Sequence, residues 1–240
     1  MHALCEGSHI MIGEDTMNHT RELYQEYLKA VEAGSLNRAK SVVEQALWRR
    51  IDPAEIYFEL FRPAMVEIGN LWQLGLASVA QERLASFITG HLMAELSSSF
   101  EPEQPVPDPP LALLACVGEE RHDLGLRMVA DTFRRDGWEI LNLGICVPAE
   151  AVVDLARDRK PALVALSATL SSSVEAVKEV IRQLREDECD VTIAVGGFPF
   201  NAVAGLWRRV GADLYSADPR FVLCAANHTV VERSRILVAA

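Results

Sequence analysis

From Leu111 onward, short apolar runs alternate with amphipathic segments, and this alternation limits the possible folds more than any other feature of the sequence. The apolar runs are the strand candidates 111–117, 139–143, 162–167, 192–195 and 212–215. Helical spacing fills the intervals at about 124–136, 149–159, 172–186 and 201–210, with a last helix after Asp218. Apolar strands separated by helices predict right-handed crossovers and a parallel sheet covered on both faces. We therefore expect a doubly wound α/β domain, Rossmann-like or flavodoxin-like, over residues 111–240.

Residues 20–99 carry a different pattern, in which apolar residues recur at helical spacing through four segments. Ser78 and the pair Asp52-Pro53 supply typical helix starts. Four amphipathic helices with short connections predict a small helical bundle. Residues 100–110 contain five of the chain's 11 prolines, so we expect a semi-rigid linker there. Residues 1–19 show no periodicity and are expected to form a flexible tail.

Charge and hydropathy argue against several classes of protein. The formal net charge is -11 over 240 residues and no cluster of Lys and Arg is visible, which argues against direct binding of nucleic acid. No segment approaches the ~18 consecutive apolar residues of a membrane span, and no basic stretch followed by an apolar run opens the chain. We therefore expect a cytoplasmic protein with no membrane contact.

Unusual residues follow three of the predicted strands. Glu120 and His122 come after the first strand, Ser167 to Ser171 end the third, and Gly196-Gly197 end the fourth. Because the carboxyl ends of parallel strands meet at one edge of a sheet, these residues are expected at a common ligand site. A carboxylate close to an imidazole fixes the tautomer of the ring, as it does for metal-binding histidines. We expect His122 to reach a metal held by a cofactor.

Taken together, Glu120-x-His122-x-x-Gly125, Ser167-x-Thr169 and Gly196-Gly197 resemble the signature of the cobalamin-binding domain family. That signature is Asp-x-His-x-x-Gly, then Ser-x-Leu or Ser-x-Thr, then Gly-Gly, so Glu120 replaces the usual Asp. The resemblance implies that His122 binds cobalt in place of the dimethylbenzimidazole base, whose nucleotide tail passes Ser167, Thr169 and the two glycines. The candidate cofactor-binding residues of this domain are Glu120, Arg121, His122, Asp123, Leu124, Gly125, Ser167, Thr169, Leu170, Ser171, Gly196 and Gly197.

The helical half extends the resemblance, because Ile68 to Ser86 looks like the four-helix cap that precedes many cobalamin domains. Trp72 and Glu82 keep the spacing found in light-sensing receptors of the CarH/LitR kind, whereas Arg83 stands where those receptors carry His. The resemblance implies that Trp72, Glu82 and Arg83 lie near the upper face of the cofactor. It also implies adenosylcobalamin or its photoproduct as the ligand, and it leaves open a bilin such as biliverdin, which photocobilins bind beside cobalamin.

The resemblance implies a sensor and not an enzyme. The residues before the cap are too few for the winged helix of CarH-type repressors, so we expect a light-responsive unit similar to AerR-like antirepressors and photocobilins. Such a unit would signal through movement of the cap. We expect it to form a homo-oligomer, such as a dimer, and to contact a protein partner. The main alternative is the corrinoid subunit of a methyltransferase system, which would have a similar cap and His122. A mutase fragment and a flavodoxin-like domain without cobalamin are the remaining alternatives.

Overall fold

The computed structural model describes the backbone of residues 14–239 and the side chains of residues 19–230. The chain divides between Phe100 and Glu101 into two compact units, one helical and one built around a parallel sheet. The fold class predicted from the sequence is therefore confirmed. The part of the expected flexible tail that covers residues 1–13 lies outside the described residues.

The first unit is a bundle of helices. They are α1 (Glu14–Glu32), α2 (Leu36–Trp48), α3 (Pro53–Glu55), α4 (Arg62–Gln73) and α5 (Val79–Leu96). Helix α1 begins before residue 20, where the bundle was expected to start. The predicted caps are present, since Asp52 accepts a hydrogen bond from the Ala54 N–H and Ser78 forms a capping box with Gln81.

A π-helical turn, Ile56–Phe61, joins α3 to α4 within what the sequence predicts as one continuous helix. At its end the Arg62 N–H donates to the carbonyl of Tyr57, five residues back along the chain. Pro63 explains the wide turn, because a proline ring inside an α-helix clashes with the carbonyl four residues earlier, here that of Glu59. The turn lets the chain carry a proline without ending the helix.

The second unit contains five parallel strands in the order β2-β1-β3-β4-β5. The strands are β1 (Leu111–Cys116), β2 (Glu139–Asn142), β3 (Leu163–Ser167), β4 (Thr192–Gly196) and β5 (Leu214–Tyr215). The helices are α6 (Leu124–Arg135), α7 (Ala149–Arg159), α8 (Val174–Glu186), α9 (Phe198–Ala202), α10 (Leu206–Arg209) and α11 (Pro219–Ala239). Buried apolar clusters fill both faces of the sheet, with α7 and α8 on one face and α6 and α11 on the other.

The prediction of one continuous helix over residues 201–210 is wrong. The chain forms the short helices α9 and α10 instead, because Val203 is extended at φ -117° and Gly205 is left-handed at φ 71°. A glycine adopts this conformation without a steric penalty, so the break falls beside it.

The strand order places a switch point between β1 and β3. The chain leaves β1 toward β2 on one side and leaves β3 toward β4 on the other, so the loops after β1 and β3 diverge at the carboxyl edge of the sheet. Ligands bind in this crevice in open α/β sheets. Within the described residues, no helix is both long enough and apolar enough to span a bilayer.

Candidate functional site

The site is organised around the carboxylate of Glu120, which is fully buried in the loop after β1. Its Oε1 accepts hydrogen bonds from the backbone N–H groups of Arg121 (3.0 Å) and His122 (3.1 Å). The same oxygen accepts the Nδ1–H of the His122 ring at 2.5 Å. One carboxylate oxygen therefore fixes both the backbone of this loop and the orientation of its imidazole.

The second oxygen of Glu120 binds the loop on the other side of the switch point. Its Oε2 accepts the backbone N–H groups of Thr169 (2.7 Å) and Leu170 (3.2 Å), in the loop after β3. Burial by itself raises the pKa of Glu120, but the hydrogen bonds from His122, Thr169, Leu170 and Ser173 outweigh burial and lower the pKa to about 2. The buried carboxylate is thus ionised and ties the two diverging loops together.

The His122 side chain is 41% exposed, so the ring lies at the surface of the crevice while its partner is buried. Because an ionised Glu120 can only accept, the hydrogen-bond network puts a proton on Nδ1, and in the neutral form of the ring the lone pair is therefore on Nε2. An ionised carboxylate on the opposite nitrogen also makes Nε2 a stronger donor to a metal. This arrangement is chemically suited to ligating a metal ion with one neutral nitrogen.

The two predicted glycines at the end of β4 differ in their surroundings. Gly197 has φ 104°, and a Cβ there would lie 1.8 Å from the carbonyl oxygen of Ala168, so packing within the protein requires glycine. Gly196 pairs with Ser167 across β3 and β4, and a Cβ there would meet nothing within 4 Å. The space beside Gly196 is open at the carboxyl edge of the sheet, where a ligand could approach the backbone.

The other predicted residues of this unit surround the same two loops. Asp123 precedes α6, whose first residues are Leu124 and Gly125, and a Cβ on Gly125 would also meet open space. Ser171 begins a short 3₁₀ turn that leads into α8. Thr169 and Leu170 contact Glu120 through their backbone N–H groups, a role that the sequence analysis, which placed Thr169 beside the nucleotide tail, did not anticipate.

Three residues of this region were not singled out from the sequence. Ser173 is buried and helps to lower the pKa of Glu120, and the Cys146 N–H donates to the Glu120 carbonyl at 3.0 Å. The thiol of Cys116 donates to the His122 carbonyl at 3.5 Å, and burial raises the pKa of this thiol to about 12. The serine run at 171–173 was a readable signal, but the φ of 55° that orients Cys146 was not.

The remaining predicted residues belong to the helical unit. Trp72 lies in the last turn of α4 with 37% of its surface exposed. Glu82 lies in the first turn of α5, where it accepts a hydrogen bond from the Ser86 hydroxyl at 2.9 Å. Arg83 is exposed on the same turn. The structure thus places Trp72 and Glu82 on consecutive helices of one bundle.

Each of the two units matches a known protein family. Residues 110–221 match a family described as B12 binding domain, and residues 23–97 match a second family with the same description. The two matches together cover more than half of the chain. The chain belongs to the B12-binding protein family, with a helical cap ahead of its α/β domain.

Two relatives represent different kinds of protein within this family. The chain is 28% identical over 207 residues to the HTH-type transcriptional repressor CarH of Myxococcus xanthus, covering 85% of this chain and 67% of that protein. It is 26% identical over 223 residues to dimethylamine corrinoid protein 2 of Methanosarcina acetivorans, covering 90% of this chain and 99% of that protein. Among solved structures, the monomethylamine corrinoid protein of Methanosarcina barkeri aligns with a TM-score of 0.77 at 20% identity over 86% of this chain and 98% of that one. This similarity supports the fold.

The residues of the crevice fit cobalamin. A neutral imidazole held by a buried carboxylate is a suitable nitrogen ligand for cobalt, and open space beside Gly125 and Gly196 leaves the backbone accessible. Thus cobalamin binding is supported by the family and by the chemistry of the donor set.

Proposed function

We propose that this protein is the light-responsive input of a regulatory system, that adenosylcobalamin is its ligand, and that it signals through protein association. The observation that carries the proposal is the pair Glu120 and His122, in which a buried carboxylate orients an exposed imidazole. His122 would hold cobalt through Nε2, and Glu120 would keep the ring in the required tautomer. When bound, adenosylcobalamin supplies a cobalt–carbon bond that visible light breaks.

The loops around His122 give the site its rigidity. Glu120 receives donors from both sides of the switch point, so its carboxylate is fixed, and the imidazole cannot tilt without breaking its own hydrogen bond to Oε1 of Glu120. Ser167 and Gly196, paired at the strand ends, would border the nucleotide tail of the cofactor. A preorganised ligand of this kind lowers the entropic cost of binding.

The cap supports the light-sensing part of the proposal. Trp72 and Glu82 keep the spacing of the light-sensing receptors, and a relative of this chain is the repressor CarH. Arg83 replaces their His, and it is exposed, so we propose that the illuminated protein obtains no imidazole from this position. Arg has no lone pair to offer a metal at neutral pH. The signal would then depend on a change in how the cap packs, as a two-state element.

The second candidate function is that of a corrinoid protein carrying a methyl group for a methyltransferase. The lengths of the alignments favour this function, because the alignment with this chain covers 99% of dimethylamine corrinoid protein 2 but 67% of CarH. In this function the same Glu120 and His122 would hold the cofactor, and partner enzymes would supply and accept the methyl group.

Size-exclusion chromatography with light scattering tests which function applies. The protein is loaded with adenosylcobalamin or with methylcobalamin and is measured in the dark and after green light. The sensor proposal expects a homo-oligomer, such as a dimer, whose mass changes on illumination only with the adenosyl ligand. Equal binding of both ligands without a light-dependent change in mass would favour the methyl carrier. Co-expression with a source of biliverdin, followed by absorbance in the red, decides whether a bilin is also bound.

A further inference from the structure

Strand β2 leaves one edge of the sheet open. It is the first strand in the order β2-β1-β3-β4-β5, and no strand of the described chain pairs with its outer edge. The N–H groups of Glu139 and Leu143 donate inward, to the carbonyls of Pro110 (3.0 Å) and Leu114 (2.9 Å). Because alternate residues of a strand direct their backbone groups to opposite sides, Ile140 and Asn142 direct theirs to the open edge.

A groove begins where β2 ends, between the residues that follow the strand and helix α7. It has a volume of about 580 Å³, and its apolar lining includes Leu143, Ile145, Val147 and Leu155. Ile145 is 46% exposed, although isoleucine is among the residues most often buried. An apolar groove alongside free backbone groups is the arrangement that proteins use to bind an added strand.

The charged residues of the groove are acidic. Asp154 and Asp158 belong to its lining, both are exposed, and Asp154 also pairs with Arg157 at 2.9 Å. The whole chain carries a formal net charge of -11. A second copy of this chain would bring the same carboxylates and the same net charge to the groove, whereas a basic segment would be attracted to Asp158 and to the net negative charge of the chain.

We propose that this groove, the edge groove, binds an extended segment of a protein partner in which apolar side chains alternate with Lys or Arg. The segment would pair with the open backbone groups of Ile140 and Asn142 and would place apolar side chains against Ile145 and Leu155. Its basic side chains would lie toward Asp158. This inference rests on the proposed function, since it names the surface and the kind of partner through which the sensor gives its output.

The edge groove is joined by hydrogen bonds to the loop that carries His122. The Cys146 N–H, in the groove lining, donates to the Glu120 carbonyl at 3.0 Å. The Cys116 N–H donates to the carbonyl of Gly144 at 2.9 Å, and the Val147 N–H donates to the carbonyl of Cys116 at 3.0 Å. A partner that shifts residues 144–147 therefore acts on the backbone of Glu120. Any coupling between partner and cofactor is reciprocal, so each changes the affinity of the other by the same factor.

The test uses a short synthetic peptide in which lysine and valine alternate, with a second peptide of glutamate and valine as its counterpart. Binding to the full-length protein is measured by calorimetry at physiological salt, with and without adenosylcobalamin. The double variant Asp154→Asn with Asp158→Asn is compared with the double variant Glu175→Gln with Glu179→Gln, which removes two carboxylate charges from the exposed surface of α8. Amide hydrogen exchange is followed at Ile140 and Asn142.

We expect the basic peptide to bind, the variant at Asp154 and Asp158 to weaken binding about tenfold, and the control variant on α8 to change it less than about twofold. We also expect slower exchange at the amides of Ile140 and Asn142, which a merely electrostatic attraction to an acidic protein does not produce. Equal binding of both peptides, equal loss in the control, or unchanged exchange at those amides overturns the proposal.

A second copy in the edge groove would also overturn it. That outcome is recognised by analytical ultracentrifugation of Ile145→Asp, which would then dissociate a dimer that the unmodified protein forms. Failure of the light response is recorded separately, from the cobalamin spectrum of the same samples. A lost light response with retained peptide binding therefore refutes the sensor function and not the binding surface.

Discussion

Replacing Glu120 with Gln tests how much the buried carboxylate contributes to the fold. The pKa of Glu120 falls from an ordinary 4.5 to about 2. Each pKa unit corresponds to ~1.4 kcal/mol, so the ionised form stabilises the folded protein by roughly 3 kcal/mol relative to the protonated form. A glutamine has one acceptor oxygen, so its NH₂ group must face donors, either those of Arg121 and His122 at the first oxygen or the N–H groups of Thr169 and Leu170 at the second. At least two donors are then left without an acceptor, which costs a similar amount.

We expect Glu120→Gln to lower the free energy of unfolding of the cofactor-free protein by about 3 kcal/mol at pH 7. Urea denaturation followed by circular dichroism measures this change. Glu119→Gln is the matched control, because Glu119 is the adjacent residue and is exposed. It should alter stability by less than ~0.5 kcal/mol. If Glu120→Gln is equally neutral, the carboxylate is not held by the donors described here.

The same carboxylate sets a pH dependence. Since folding lowers the pKa of Glu120, its contribution to stability is complete above pH 4.5 and is lost as pH falls toward about 2. The difference in unfolding free energy between the unmodified protein and Glu120→Gln should shrink across this window. A difference that stays constant down to pH 2, or grows, would contradict the assignment of an ionised carboxylate.

Three further predictions concern the glycines and the cysteines. Gly197→Ala should destabilise the protein by at least ~2 kcal/mol in urea denaturation, because its Cβ would lie 1.8 Å from a carbonyl oxygen at φ 104°; stability near that of the unmodified protein would refute this. Gly196→Ala should leave stability within ~1 kcal/mol, because its Cβ meets open space, yet should weaken cobalamin binding at least about tenfold in equilibrium dialysis; unchanged affinity would place the cofactor elsewhere. Iodoacetamide at pH 8 should modify the exposed Cys146 and spare Cys116, because burial raises the pKa of the Cys116 thiol to about 12. Peptide mapping measures the labelling, and equal labelling of the two cysteines would contradict the burial of Cys116.

Much of the fold follows from patterns that are local in the sequence. Apolar runs separated by amphipathic segments indicated all five strands, and strand-end residues indicated where the crevice lies. The pairing of Glu120 with His122 was also readable, because two residues of separation on one loop bring a carboxylate to its imidazole.

The features that the sequence did not reveal are one contact between distant segments and two local changes of the backbone. Glu120 reaches the N–H groups of Thr169 and Leu170 across the switch point, and no local pattern encodes which loop its second oxygen meets. The break near Gly205 was missed because the apolar spacing continues through it. The π-helical turn before Pro63 was missed because the apolar spacing continues past the proline, as it would in one uninterrupted α-helix.

The absorbance spectrum of the protein with adenosylcobalamin, in the dark and after green light, tests the central claim most directly. It is recorded for the unmodified protein, for His122→Ala and for His19→Ala, a control that removes an exposed imidazole of the helical unit. We predict a base-off, histidine-bound dark spectrum that light converts, present in the unmodified protein and the control and absent in His122→Ala. An unchanged spectrum in His122→Ala would show that His122 does not ligate cobalt and would contradict the account.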